Sequence, residues 1–311
     1  MNKRETVLRL LDETRTPDYV PAAFFLHFPS EYHRGQAAID KHLEYFSYTG
    51  MDFVKIQYEF PFPHRPEIRS PADWANMPRY GQAFFQDQLE IVAGLVEAVK
   101  GEALVLQTLY SPFMSAGHTT SDETITQHIR IDPENAKVGL EIITESILWF
   151  VRECVKRGID GFYASTQGGE RGRFDPALFA NVVKPYDLAV MNEIDATCPF
   201  NILHICDYQA PYDDLAPFLD YPGDIVNCPL EVGGQAMTAR EAARMFGRPY
   251  MGGLDRHGII ASGSKEEIKA AVKDVLCDAP ERFILGADCT LPGDIDWDNI
   301  RTAIAAAHDH A

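Results

Sequence analysis

A histidine and two cysteines carry the strongest chemical signal in this chain. His204-Ile205-Cys206 ends the apolar run Phe200-Asn201-Ile202-Leu203, and Cys289 follows a second apolar run, Phe283-Ile284-Leu285-Gly286-Ala287. Strand residues two apart point to the same face, so His204 and Cys206 would present an imidazole and a thiol side by side. Should the two runs be strands of one barrel, Cys289 would meet them at the same rim. Two sulfurs and one nitrogen suit Zn²⁺ and leave a coordination position for a substrate. Taken singly, each residue has an ordinary explanation: a hydrogen-bonded core histidine, or a cysteine used as a small hydrophobe. The joint pattern is what points to a metal.

Apolar runs of strand length alternate with helix-period segments and would position that triad. Strands are expected at Pro21 to Phe28, Met51 to Tyr58, Ala103 to Thr108 and Gly161 to Ser165. Four more are expected at Asn201 to Cys206, Asp224 to Cys228, Pro249 to Gly252 and Phe283 to Ala287. Between them, Leu89, Val92, Val96 and Val99 repeat with helical spacing, as do Leu140, Ile143, Ile147, Val151 and Cys154. Asp175-Pro176 reads as an N-cap and first helical position, and Pro185 should kink or restart that helix. Thr238 to Glu241 and Ser264 to Glu267 are capping boxes, and Asp298 to Ala307 reads as a last helix. Eight strands alternating with helices predict an α/β fold: one (β/α)₈ TIM barrel, a single domain over residues 1–311. A doubly wound open sheet is the competing architecture, but no glycine-rich nucleotide motif follows a strand. A short amphipathic helix is expected at the N-terminus. The segment Phe60 to Gly81, with five prolines, reads as a long loop over the C-terminal face of the barrel and a candidate lid.

Composition narrows the partners. The 311 residues carry a formal charge of −18, and no basic cluster stands out, which argues against nucleic acid or an anionic membrane. No apolar stretch reaches the roughly 18 residues of a membrane span, and the first residues lack a secretory apolar core. A reducing cytoplasm is the expected compartment, where the six cysteines serve as free thiols or metal ligands rather than disulfides. Cys154, Cys198 and Cys277 are expected as buried structural thiols and Cys228 as core. The oligomeric state is open, a homodimer included.

In a parallel barrel, chemistry gathers at the C-terminal strand ends. The expected substrate-binding residues there are Lys55, Tyr58, Thr108, Gln167, Glu170 and Asp255. Glu231 is a candidate fourth ligand, with a solvated loop carboxylate as its alternative. Asp207 and Asp288 are placed to orient His204 from behind the metal. His257, His308 and His310 read as surface residues, and His64 as a loop histidine able to visit the site.

Several stretches resemble the uroporphyrinogen decarboxylase superfamily: Leu203-His204-Ile205-Cys206, Gly252-Gly253-Leu254-Asp255, Ser262-Gly263-Ser264 and Ile284 to Cys289. Ser111-Pro112-Phe113 and Lys184-Pro185-Tyr186 are similar too, and the resemblance is weakest before residue 100. Within it, H-x-C with a late cysteine looks like the zinc signature of the corrinoid-dependent, methylcobamide:coenzyme M-like methyltransferase branch. The resemblance implies that His204, Cys206 and Cys289 hold zinc and that an incoming thiol loses its proton there and takes up a methyl group. The donor would be a corrinoid such as methylcobalamin, free or presented by a corrinoid protein, or another small-molecule methyl donor. The reverse assignment, in which the site activates a methyl donor and passes the methyl to a corrinoid protein, is also open. Members that decarboxylate porphyrinogens should show arginines after the first strand; here only Arg34 follows His27 and Phe28. Two rival readings stand beside methyl transfer: a metal-free carboxy-lyase using Arg65, Arg69, Arg171 or Arg173, and a non-catalytic barrel that binds a corrinoid or thiol.

Overall fold

The computed structural model describes residues 2–14 and 19–310. Seven strands form one parallel sheet: β1 (Phe53–Ile56), β2 (Leu104–Tyr110), β3 (Gly161–Thr166), β4 (Ile202–Ile205), β5 (Ile225–Asn227), β8 (Tyr250–Leu254) and β9 (Phe283–Ala287). They follow one another around the sheet in chain order, interrupted only by the small antiparallel pair β6 (Glu231–Val232) and β7 (Gln235–Ala236). Helices cross from each strand to the next except between β4 and β5, where the crossover carries only the 3₁₀ turn Ala216–Phe218.

The first expected strand takes a looser form. Residues 21–28 make isolated parallel bridges, Ala22 to Leu285 and Leu26 to Leu291, rather than a ladder. Ala23 N donates to Leu285 O and Leu285 N donates to Pro21 O across that seam, and Ala22 O accepts from Asp52 N just before β1. The segment thus lies between β9 and β1 and curls the sheet into a TIM-barrel-like ring. Pro21 has no N–H to give a ladder, which is one reason the pairing stays partial.

Other elements follow the local signals. Asp175, Thr238 and Ser264 cap their helices through side-chain bonds to backbone N–H groups. Ahead of Pro185 the helix widens into a π turn over Phe179–Val183 and restarts as Lys184–Thr197. The N-terminal helix runs Lys3–Leu8 and continues as a 3₁₀ turn, Arg9–Leu11; Met1 lies outside the described residues. Helices Gly35–Thr49, Pro112–Thr119 and Asp122–Ile131 are additional to those expected. Cys154 and Cys228 are buried as expected, but Cys277 is exposed and Cys198 half-buried, because both sit at helix ends rather than on inward faces.

The proline-rich segment leaves the C-terminal end of β1, yet it does not act as a cover. Its Trp74 is fully buried against the helix Pro133–Lys156, where Gly139 makes room for the indole, and Trp74 Nε1 donates to His128 Nδ1 at 3.0 Å. Phe62, Ile68 and Met77 are buried with it. Burying those apolar side chains pins the segment to the flank of the barrel.

Candidate active site

Alternation along each strand builds the site. Lys55 and Gln57 of β1 and its extension, Thr108 and Tyr110 of β2, Tyr163, Ser165 and Gln167 of β3, and His204 and Cys206 of β4 all line one cavity. The residues between them, such as Val54, Leu109, Ala164 and Ile205, turn outward under the helices. The cavity encloses about 480 Å³ at the C-terminal rim, and Cys289, Thr290 and Leu291 close it beyond β9. Parallel pairing sets His204 beside Ser165 of β3 and Asn227 of β5.

The three metal-type residues converge there. A ligand atom from each of His204, Cys206 and Cys289 lies within 4.8 Å of the others. His204 Nε2 is 3.5 Å from Cys289 Sγ. A tetrahedral zinc with its usual bond lengths would hold a sulfur and a nitrogen about 3.6 Å apart. The donor set and its spacing therefore fit zinc, with one coordination position left over. The Cys206 and Cys289 thiols are close enough to hydrogen-bond to each other. Cys289 is held well below the usual thiol range by the hydrogen bond from Cys206, helped by His204 and the Arg256 guanidinium. That same bond and burial push Cys206 far up.

Tyr163 sits under this cluster. Its ring lies against the His204 imidazole with centroids 4.9 Å apart, and its hydroxyl donates to Asn227 Oδ1 at 2.6 Å. Lys55 Nζ rests 4.6 Å above the same ring and 4.4 Å from that of Phe25, and donates to Gln57 Oε1 at 2.8 Å. Burial lowers the Lys55 amine to about 7. His204 Nδ1 is buried with no hydrogen-bond partner among the described residues, so the tyrosine ring supports the imidazole.

Of the expected substrate-binding residues, Lys55, Thr108 and Gln167 line the cavity. The others do not. Tyr58 is buried among Tyr110 and Phe150, because it continues β1 on the helix-facing side. Glu170 turns back to accept from Gly168 N and pairs with Arg173 at 2.6 Å, beside a separate surface pocket. Asp255 is exposed and accepts from His257 N. Glu231 stands exposed on the β6–β7 hairpin, whose Gly233 and Gly234 have φ of +61° and +74°, and it is not part of the cluster. Asp207 and Asp288 do not reach His204; both bind Arg256. His257 is exposed, as expected, and also lines the cavity, whereas no residue of 60–81 does. Tyr163 and Arg256 carried no signal of their own, although the alternation Tyr163-x-Ser165-x-Gln167 was there to be read.

One electrostatic feature separates the cavity from the rest of the chain. No aspartate or glutamate lines it among the described residues, whereas Lys55, Arg256 and three histidines besides His204 do. The whole chain has 46 acidic residues.

Fold and site together define an α/β barrel protein with a thiol- and imidazole-bearing cavity at its C-terminal rim. A family model described as uroporphyrinogen decarboxylase (URO-D) matches residues 47–310, and the chain belongs to that family. A curated relative, the methylated-thiol–coenzyme M methyltransferase of Methanosarcina mazei, is 20% identical over 259 residues. That match covers 79% of this chain and 66% of the relative, so the chain spans just under two thirds of its length. Among solved structures, a methyltransferase from Methanosarcina mazei superposes with a TM-score of 0.75 at 16% identity, covering 99% of both chains. A B12-independent methionine synthase from Shewanella sp. W3-18-1, in complex with selenomethionine, gives 0.58 at 13% identity, covering 94% of this chain and 97% of that one. At these identities the structural likenesses speak for the fold.

Proposed function

We propose that this chain, as one barrel domain over residues 1–311, is a methyltransferase whose His204, Cys206 and Cys289 hold a zinc ion that activates a thiol. The methyl donor in this reading is a corrinoid, free or carried by a partner protein. The observation that carries it is the convergence of two thiols and one imidazole at the mouth of a cavity large enough for a small molecule. Membership of the family and the relative's name support it.

Bound zinc would supply thiolate character to an incoming thiol at neutral pH. The chain's own residues do the rest. His204, steadied by Tyr163, and the two cysteines present the donor set. Lys55 is a cationic side chain in the cavity lining that suits an acceptor with a negative group elsewhere, whereas the charge of Arg256 is already balanced by Asp207 and Asp288. Tyr110, Met114 and Leu291 supply apolar wall. In the transfer, a carbon–sulfur bond forms and the bond from methyl to its donor breaks. The electron pair stays on the donor, and the thiol proton leaves to water.

The carboxy-lyase reading finds less support. Arg65, Arg69, Arg171 and Arg173 do not line the cavity, and the one arginine that does is already paired with two carboxylates.

Metal analysis of the purified protein should give about one zinc per chain, and Cys206→Ala, Cys289→Ala or His204→Ala should each lose most of it. The loaded protein, given methylcobalamin and a panel of thiols, should form a methyl thioether. Full zinc retention in all three variants would overturn the metal site. Zinc binding without turnover on any thiol would favour a binding barrel.

A further inference from the structure

The two cysteines are brought together from strands that do not touch. Cys206 follows β4 and Cys289 follows β9, and β5 and β8 stand between those strands in the sheet. Arg256, two residues beyond β8, reaches both sides. Its Nη1 donates to Asp207 Oδ1 at 2.9 Å and to Asp288 Oδ2, and its backbone N donates to Asp288 Oδ1 at 2.7 Å. Asp207 is the residue after Cys206, and Asp288 the residue before Cys289. Asp288 N is itself tied to Leu254 O at 2.9 Å. All three charged side chains are mostly covered, so water competes weakly for these bonds.

We propose that Arg256 is a positioning residue: a strap across the rim that fixes the distance between the two cysteine sulfurs by holding the residue next to each. This rests on the cysteines acting as paired ligands, but the strap itself is a property of the chain.

Charge and geometry predict opposite outcomes. Removing a cation beside two thiols and two carboxylates should tighten cation binding if Arg256 acted through its charge alone. Loss of a strap should weaken it, because the donors no longer sit at the ion's preferred spacing. Partners behind a metal's ligands are typically worth tenfold to a hundredfold in affinity, so Arg256→Gln is expected to weaken zinc by about that factor. Arg256→Lys, which can still bridge two carboxylates from one ammonium, should recover part of the loss. Asp207→Asn, which weakens one arm by removing its charge and leaves Arg256 paired with Asp288, should also weaken zinc, through charge as well as geometry.

The experiment measures zinc affinity by competition with a chromophoric chelator for the full chain and the three variants. The Co²⁺-substituted proteins report donor geometry through their absorption bands. Unfolding midpoints identify any variant that fails to fold, and Arg256→Lys carries the test should Arg256→Gln do so, because it keeps the charge, so that charge alone predicts unchanged zinc affinity and a loosened strap predicts weaker binding. A second probe needs no metal: phenylarsine oxide, which bridges two close thiols, should bind the metal-free wild type through Cys206 and Cys289 and be retained against a monothiol. Arg256→Gln should lose that retention. Unchanged or tighter zinc binding in Arg256→Gln and Asp207→Asn, with unchanged cobalt bands and arsenical retention, would overturn the strap. A wild type that binds no zinc defeats the metal reading instead, and the arsenical comparison then decides the strap alone.

Discussion

Tyr163 and His204 pack ring against ring with centroids 4.9 Å apart and planes tilted by 31°, while the tyrosine hydroxyl donates to Asn227 Oδ1. One residue thus does two separable things. Tyr163→Phe keeps the ring and strips Asn227 of its donor in a buried place, which should cost about 1–3 kcal/mol of stability. Zinc stoichiometry should not change. Tyr163→Ala removes the support under His204 and should weaken zinc binding as well. Denaturant unfolding alongside metal analysis separates the two; equal zinc affinity in both variants would refute the supporting role of the ring.

Glu231 offers a clean negative control. It is exposed on a hairpin and not part of the thiol–imidazole cluster. Glu231→Ala should bind zinc as the wild type does and unfold within about 0.5 kcal/mol of it. A large drop in metal content would mean that the hairpin folds over the site.

His42 should make stability pH-dependent. Both ring nitrogens are engaged in the neutral form: Nδ1 donates to Ala38 O at 2.7 Å, and Nε2 accepts from Gln57 N at 3.3 Å. Burial lowers its pKa from 6.5 to about 4. Between those values the unfolded chain binds the extra proton, so stability is full above about pH 6.5 and falls as pH drops toward 4. The span corresponds to about 3 kcal/mol. Asp187 works against it: burial raises its pKa from 3.8 to about 7, so its contribution is present at low pH and lost as pH rises through that window. The informative quantity is therefore the difference between wild type and His42→Gln. It should grow as pH falls from 6.5 to 4 as a loss specific to the wild type; parallel profiles would contradict it.

Gly139 lies inside a long helix where alanine would ordinarily gain roughly 1 kcal/mol. Here an added Cβ would come within 2.6 Å of the Trp74 ring. Gly139→Ala should therefore destabilise on the order of 1 kcal/mol or more, and Trp74 fluorescence should shift. An increase in stability would show that the proline-rich segment is not seated as described.

Most strands were legible because their apolar runs are bounded by glycine, proline and charge; Phe283 to Ala287 matches β9 residue for residue. The triad was legible from H-x-C at one strand end and a cysteine at another. What escaped was either non-local or hidden by an ordinary residue. Arg256 matters through partners 49 and 32 positions away, and no local pattern announces such a bridge. The inward role of Tyr163 needed the register with β4. Residues 21–28 look like a strand and are buried like one, but whether such a run forms a ladder or two bridges depends on its neighbours. The hairpin that removes Glu231 from the site had a readable sign, Val232-Gly233-Gly234-Gln235, with two glycines at the positions that favour a tight turn.

The carboxylate-free cavity inside so acidic a chain has a kinetic consequence. An anionic ligand approaching from bulk meets net repulsion at long range and attraction only over the last few ångströms, near Lys55. Added salt screens the distant field first, so capture of such a ligand should speed up as ionic strength rises from very low values, the reverse of ordinary electrostatic steering.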